Sequence, residues 1–180
     1  DEQELHKFRP GLLRNILENS GKRIAVIMNE FGEIGIDQKI IRGKNVDIAE
    51  LAGGCVCCSL TGEFEHAVRE IMEKANPEWI VLETTGTAEP DSIILNLDDM
   101  RDLRLDAVIT IADADSMSRF PDLGRIGAIQ LEMADIILLN KIDLVSGGKL
   151  KKIEAKVKKI NTRALVYKTD HCMVPTELLF

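Results

Sequence analysis

The sequence predicts an α/β protein, a mostly parallel sheet with helices on both faces. Three observations predict it. Apolar runs of strand length recur at Ile24–Met28, Trp79–Leu82, Ala107–Ala112 and Ile136–Leu139, with a weaker one at Ala164–Tyr167. Segments with helical spacing lie between them. The runs are continuously apolar instead of alternating, the pattern of strands covered on both sides.

Taken in order, Leu12, Leu13, Ile16 and Leu17 mark a first helix, stopped by Asn19-Ser20-Gly21. The strand Ile24–Met28 follows. Phe64, Val68, Ile71 and Met72 mark a second helix that Asn76-Pro77 ends, because proline has no N–H to continue the ladder. The Trp79 strand leads to a helix near Asp91–Leu97, and the Ala107 strand to a helix near Leu123–Met133. The Ile136 strand precedes a helix near Lys149–Ile160, and the Ala164 strand closes the series. There is no internal repeat and no low-complexity linker.

At 180 residues the chain has the length of one domain with a proper core. A formal net charge of −7 argues against a general affinity for nucleic acid or anionic membrane. No apolar run approaches the ~20 residues a membrane-crossing helix needs. The opening Asp1-Glu2-Gln3-Glu4-Leu5-His6 is acidic and polar, unlike a signal peptide, so a cytoplasmic location is expected.

In Gly53-Gly54-Cys55-Val56-Cys57-Cys58, three of the four cysteines fall within four positions. Packing does not require three neighbouring small hydrophobes to be thiols. What they share is the capacity to become thiolates, which bind borderline and soft metals or exchange disulfides. Cys57 and Cys58 are adjacent, which disfavours a disulfide between them. In a cytosolic chain such a cluster is expected to bind metal or to be redox-active. Buried, inert thiols are the plainer alternative. Three thiolates around Zn²⁺ leave one tetrahedral position free, as suits a delivery site. His66, His171 and Cys172 are the candidates for a fourth ligand, none in an established metal spacing, and His6 is expected to be uninvolved.

In open α/β sheets ligands bind beyond the carboxyl ends of strands. Polar clusters stand there: Asn29-Glu30-Phe31-Gly32-Glu33 after the first strand, Glu83-Thr84-Thr85-Gly86 after the second, and Asn140-Lys141-Ile142-Asp143 after the Ile136 strand. The last has the form N-K-x-D that reads guanine. The Asp143 carboxylate accepts from guanine N1–H and the 2-amino group, a pair adenine does not offer. Asn140 holds the loop and the base edge, and the aliphatic stem of Lys141 covers the ring. Guanine nucleotide is the ligand this loop implies.

Asn29–Asp37 (NEFGEIGID), Gly53–Leu60 (GGCVCCSL), Glu83–Pro90 (ETTGTAEP) and Leu139–Leu144 (LNKIDL), together with Asp113-Ala114-Asp115, stand in an order and spacing that resembles the CobW-type GTPases. These are P-loop proteins associated with delivery of zinc or cobalt, and the resemblance runs from about Leu12 to Leu179. It implies a three-layer P-loop NTPase-like fold and a GTPase activity. By the same resemblance Asn29–Asp37 is a switch segment near the γ-phosphate and magnesium, and the Glu83 loop is the second switch. Asn29 and Gly86 then join Asn140, Lys141 and Asp143 as nucleotide-contacting positions, and Cys55, Cys57 and Cys58 hold the cargo Zn²⁺ or Co²⁺. A metal-accepting client protein is the implied partner. Acidic residues beside phosphates require Mg²⁺, which takes one or two carboxylates plus phosphate oxygens and water. Glu83, then Glu30 and Asp37, are the candidates for that catalytic role. Gly32, Gly35 and Gly86 give the freedom that loops ordering with a γ-phosphate need.

The family's phosphate loop, G-x-x-x-x-G-K-[ST], is expected just before Leu12, where His6-Lys7-Phe8-Arg9-Pro10-Gly11 stands instead. No apolar strand precedes it either. Two readings stay open: the segment is lost or replaced, or the sequence omits residues that join within the first dozen positions. As written, the chain is expected to bind GTP poorly and to hydrolyse it more slowly still. Residues 1–180 are expected to form one G domain, with residues 1–10 an atypical segment and without the family's C-terminal domain. The rival functions are a nucleotide-independent metal-binding module and a thiol redox sensor.

Overall fold

The computed structural model describes residues 11–29, 41–43, 46–51, 61–84, 86, 88–98, 100 and 102–179. The expected class is found: α/β, with parallel strands and intervening helices. The described residues divide into two compact units, Ser20–Ala88 with Ser92–Leu103, and a second that takes in Glu89–Asp91, the segment from Arg104 onward and the first helix.

The first unit holds a four-stranded sheet in the order β2-β3-β1-β4, from β1 (Ile24–Asn29), β2 (Ile41–Gly43), β3 (Val46–Leu51) and β4 (Trp79–Glu83). Strand β1 is central and parallel to both neighbours, with Ile27 opposite Ala49 on one side and Leu82 on the other. Ala25, Val26 and Ile27 are wholly buried, as a continuous apolar run requires. Helix α2 (Thr61–Ala75) lays Val68 and Ile71 against Ala25 and Ile27, with Ile80, Leu82 and Leu97 completing the cluster. Leu97 comes from α3 (Pro90–Asp98), which opens on a proline at a position where its missing N–H costs nothing.

The second unit contains α1 (Leu12–Asn19) and a parallel three-stranded sheet, β5 (Ile109–Asp113), β6 (Ile136–Asn140) and β7 (Leu165–Lys168), with β6 in the middle. Ile137, Leu138 and Leu139 are fully buried. Each such side chain contributes about 1.5–3 kcal/mol of hydrophobic stabilisation. Ala112, Ile137 and Leu139 share a core with Leu131 of α5 (Gly124–Met133) and with Ile153 and Val157 of α6 (Gly147–Ile160). Asp135 stands at the mouth of the sheet and ties all three strands. Its carboxylate accepts Val108 N–H at 2.8 Å and its carbonyl accepts Leu165 N–H at 2.9 Å.

Among the described residues each unit has a sheet of its own, four strands in the first and three in the second. Three elements were not foreseen. β2 and β3 pair antiparallel, and Val46-Asp47-Ile48-Ala49-Glu50-Leu51 is interrupted by carboxylates, so it is not a continuous apolar run. The six-residue helix α4 (Ala114–Arg119) is too short to show periodicity and depends on its cap, Asp113, which accepts Ser116 N–H at 3.0 Å.

Candidate functional site

The parallel register sets Asp113, the last residue of β5, beside Asn140, the last residue of β6. Thr169, just past β7, joins them, its N–H donating to the Leu139 carbonyl at 2.9 Å. Three strand ends of the second unit therefore form one rim.

Asn140 is half-buried, and its side-chain oxygen is fully used. It accepts the backbone N–H of Cys172 at 2.9 Å and the hydroxyl of buried Thr169 at 3.2 Å. The side-chain N–H₂ of Asn140 has no partner among the described residues. Lys141 follows in the left-handed region, φ 59° and ψ 37°, which a side chain with a Cβ rarely adopts. The turn is held open by Ile142 N–H on the Thr169 carbonyl, 3.4 Å, and Leu144 N–H on the Lys141 carbonyl, 3.2 Å. Lys141 Nζ reaches across to Asp113 Oδ2 at 2.7 Å.

That ion pair moves both titrations. Partial burial pushes the Asp113 carboxyl up, but the Lys141 ammonium and the Ser116 N–H outweigh it and hold it below its ordinary value. The hydrogen bond to Asp113 raises Lys141, with its charge and those of Asp115 and Asp143 adding to it. Asp143 sits in the 3₁₀ turn Ile142–Leu144, exposed, with no hydrogen bond or ion pair among the described residues. The loop thus offers a free amide donor on Asn140 and a free two-oxygen acceptor on Asp143. A heterocycle edge carrying an acceptor beside two N–H donors matches that set.

The segment after β7 locks this loop from behind. His171 and Cys172 both have positive φ, 51° and 56°, and Met173 N–H closes the turn on the Asp170 carbonyl at 3.0 Å. Two consecutive non-glycine residues at positive φ fit a type I′ turn. Cys172 is buried, and burial pushes its thiol up despite the Leu12 N–H that donates to it at the start of α1. Asn15, buried on α1, donates to the Val174 carbonyl at 2.7 Å.

Of the expected site residues, Asn140, Lys141 and Asp143 come together here. Glu83 ends β4 in the first unit and is exposed, with Gly86 two residues past the described Thr84. Asn29 ends β1, where only its backbone is described. Glu30, Asp37, Cys55, Cys57 and Cys58 lie outside the described residues. His66 is exposed on α2. His171 is exposed and 2.5 Å from Asp170. Among the described residues no three His, Cys, Asp or Glu side chains are grouped to hold a metal. Sequence reasoning placed Asp113 only within the Asp113-Ala114-Asp115 resemblance, and missed the Thr169–Cys172 turn as part of the loop. Position at a strand end was the only signal for that turn.

Parallel strands whose carboxyl ends carry a base-edge loop define a nucleotide-binding α/β domain. This chain belongs to the family described as CobW/HypB/UreG, nucleotide-binding domain, whose model matches residues 10–168. It is 37% identical over 179 residues to the zinc chaperone YjiA of Escherichia coli, an alignment covering 94% of this chain and 56% of that protein. It is 35% identical over 176 residues to zinc-regulated GTPase metalloprotein activator 1 of Schizosaccharomyces pombe, covering 91% and 43%. The crystal structure of Zn(II)-bound YjiA GTPase superposes with a TM-score of 0.64 at 30% identity, covering 93% of this chain and 55% of that one. The chain spans about half the length of the curated relatives it matches. Among the described residues no helix is long and apolar enough to cross a membrane.

Proposed function

We propose that this chain is the nucleotide-binding part of a GTP-dependent metallochaperone. Asn140 and Asp143 read guanine, with Lys141 lining the base. Cys55, Cys57 and Cys58 carry the metal, Zn²⁺ or Co²⁺, and GTP binding and hydrolysis govern its release to a client protein in the cytoplasm. The observation that carries this reading is the division of labour at the β6 end. Asn140 gives its oxygen to the Thr169–Cys172 turn, while Asp143 keeps an exposed carboxylate with no ion-pair partner among the described residues.

The same reading gives Glu83 a role toward magnesium. It is an exposed carboxylate at a strand end, a hard oxygen donor of the kind Mg²⁺ takes. Glu30 and Asp37 are proposed to assist it, and Asn29 and Gly86 to border the phosphates. Bound Mg²⁺ would neutralise phosphate charge. A zinc chaperone, a zinc-regulated GTPase metalloprotein activator and a Zn(II)-bound structure among the relatives support zinc as the first metal to try.

The test is a pair of titrations on the reduced chain. Under this reading fluorescent GTP and GDP bind saturably and resist displacement by ATP, with an affinity lowered by the lack of a G-x-x-x-x-G-K-[ST] pattern before Leu12. Zinc should bind at one equivalent, be lost when Cys55, Cys57 and Cys58 are serine, and bind with different affinity in the GTP and GDP states. A chain that refuses both zinc and cobalt ends the metallochaperone reading. A second reading, a metal-binding module independent of nucleotide, is favoured by His6-Lys7-Phe8-Arg9-Pro10-Gly11, which carries no lysine followed by Ser or Thr. Zinc binding without saturable guanine nucleotide binding would select it.

A further inference from the structure

Asp113 has no place in the N-K-x-D pattern, yet it is bound to it. One of its carboxylate oxygens accepts Ser116 N–H at 3.0 Å and caps α4, while the other takes Lys141 Nζ at 2.7 Å. The Lys141 ammonium has other carboxylates within electrostatic reach, Asp115 and Asp143. Asp143 is two residues along the same turn. It is also the group that must stay open if the loop is to read a base.

An ammonium forms a charge-assisted bond that is stronger than the bond of a neutral ring N–H to the same carboxylate. If Lys141 rested on Asp143, a base would have to displace it. In the structure the ammonium rests on Asp113, and Asp143 is left without a hydrogen bond or ion pair among the described residues. The left-handed backbone of Lys141 aims the side chain away from its own turn and toward β5.

We propose that Asp113 is a specificity-determining positioning residue: by holding the Lys141 ammonium on its own carboxylate it keeps both oxygens of Asp143 free for guanine N1–H and the 2-amino group. This rests on the guanine reading of the loop given above. The role is distinct from capping α4, because a cap needs an acceptor and not a charge.

The two roles separate by substitution. Asp113→Asn and Asp113→Ser both keep a strong cap residue and remove the charge, so either serves if the other fails to fold. The readout is the ratio of GDP to IDP affinity by calorimetry, since hypoxanthine lacks only the 2-amino group. Removing the charge should lower GDP affinity about fivefold, the scale of a partly exposed ion pair, and bring the ratio toward one. Adding Lys141→Met, which keeps an apolar stem without the ammonium, should restore the ratio to that of Lys141→Met alone. A purely structural role for Asp113 predicts no such rescue.

An unchanged ratio in folded Asp113→Asn, with the wild-type chain binding GDP normally, overturns the role of Asp113 and leaves the guanine reading standing. A wild-type chain that binds neither nucleotide, or binds both alike, overturns the guanine reading and this role with it. An Asp113→Glu variant that keeps the charge should retain the wild-type ratio, and collapse there also counts against the proposal.

Discussion

The backbone N–H of Cys172 donates to the side-chain oxygen of Asn140 at 2.9 Å, joining two loops whose residues are thirty-two positions apart. The same oxygen takes the hydroxyl of buried Thr169. Asn140→Ala removes an acceptor from two groups at once. Leaving buried donors without partners costs about 1–3 kcal/mol, so urea unfolding should show a loss of that size. Guanine nucleotide affinity should fall at least tenfold. Asn140→Asp keeps the acceptor and removes the free N–H₂, so it should retain most of the stability and still lose the affinity. Full affinity retained in Asn140→Asp would mean that Asn140 braces the loop and does nothing else.

Asn161 performs a comparable task at the other end of the sheet. It is buried at the end of α6. Its side-chain nitrogen donates to the carbonyls of Leu131, Glu132 and Ala134, at 2.9, 3.0 and 2.8 Å, and its oxygen accepts the N–H groups of Arg163 and Ala164, both at 2.9 Å. It thereby finishes α5 and starts the turn into β7. Asn161→Leu, similar in size, strands these carbonyls and N–H groups and adds no hydrogen bond. A loss of roughly 2–4 kcal/mol in urea unfolding is expected, with the slope unchanged. A loss under about 1 kcal/mol would show that water or backbone movement replaces the network.

The Asp113–Lys141 pair sets a pH window. Asp113 lies below its ordinary value, so its contribution is present above about pH 4 and is lost as pH falls through its folded value. Lys141 lies above its ordinary value, so its contribution is present below about pH 10 and is lost as pH rises through its folded value. The preference for GDP over IDP should therefore be level from about pH 5 to about pH 8, above which the ring N–H of the bases itself begins to ionise. A transition centred inside that window would point to another titrating group as the controller of the base loop.

The parts legible in the sequence are those whose cause is local. Ile136–Leu139 reads as a buried strand because the whole run is apolar, and its residues are buried. Asn140, Lys141 and Asp143 read as a base loop because residue type and strand-end position suffice. Helix α6 was expected at Lys149 and begins at Gly147, since a glycine pair carries no helical signal of its own. The illegible parts depend on distant partners. Nothing near Asp113 in sequence announces that its second oxygen takes Lys141, twenty-eight residues away. Nothing near Cys172 announces a positive φ, which residues with a Cβ seldom adopt. β2 and β3 stabilise each other across an antiparallel pairing that neither strand's composition foretells.

Cys172 was one of three candidates for a fourth ligand to the cysteine-bound metal, and its surroundings argue against that role. It is 4% exposed, and burial raises its thiol, so the thiolate that a metal needs is disfavoured at neutral pH. The Leu12 N–H that would favour the thiolate is outweighed. Iodoacetamide at pH 7.5 should therefore modify Cys172 at least a hundredfold more slowly in the native chain than in urea, as read from the labelled peptide by mass spectrometry. Cys172→Ala should leave zinc stoichiometry at its wild-type value. It should cost about 1 kcal/mol or more of stability through the lost packing. Rapid native labelling would show that the turn opens readily. Loss of zinc in the folded Cys172→Ala variant would make this sulfur a ligand after all, and the Asn140 clamp would then be tied directly to the metal.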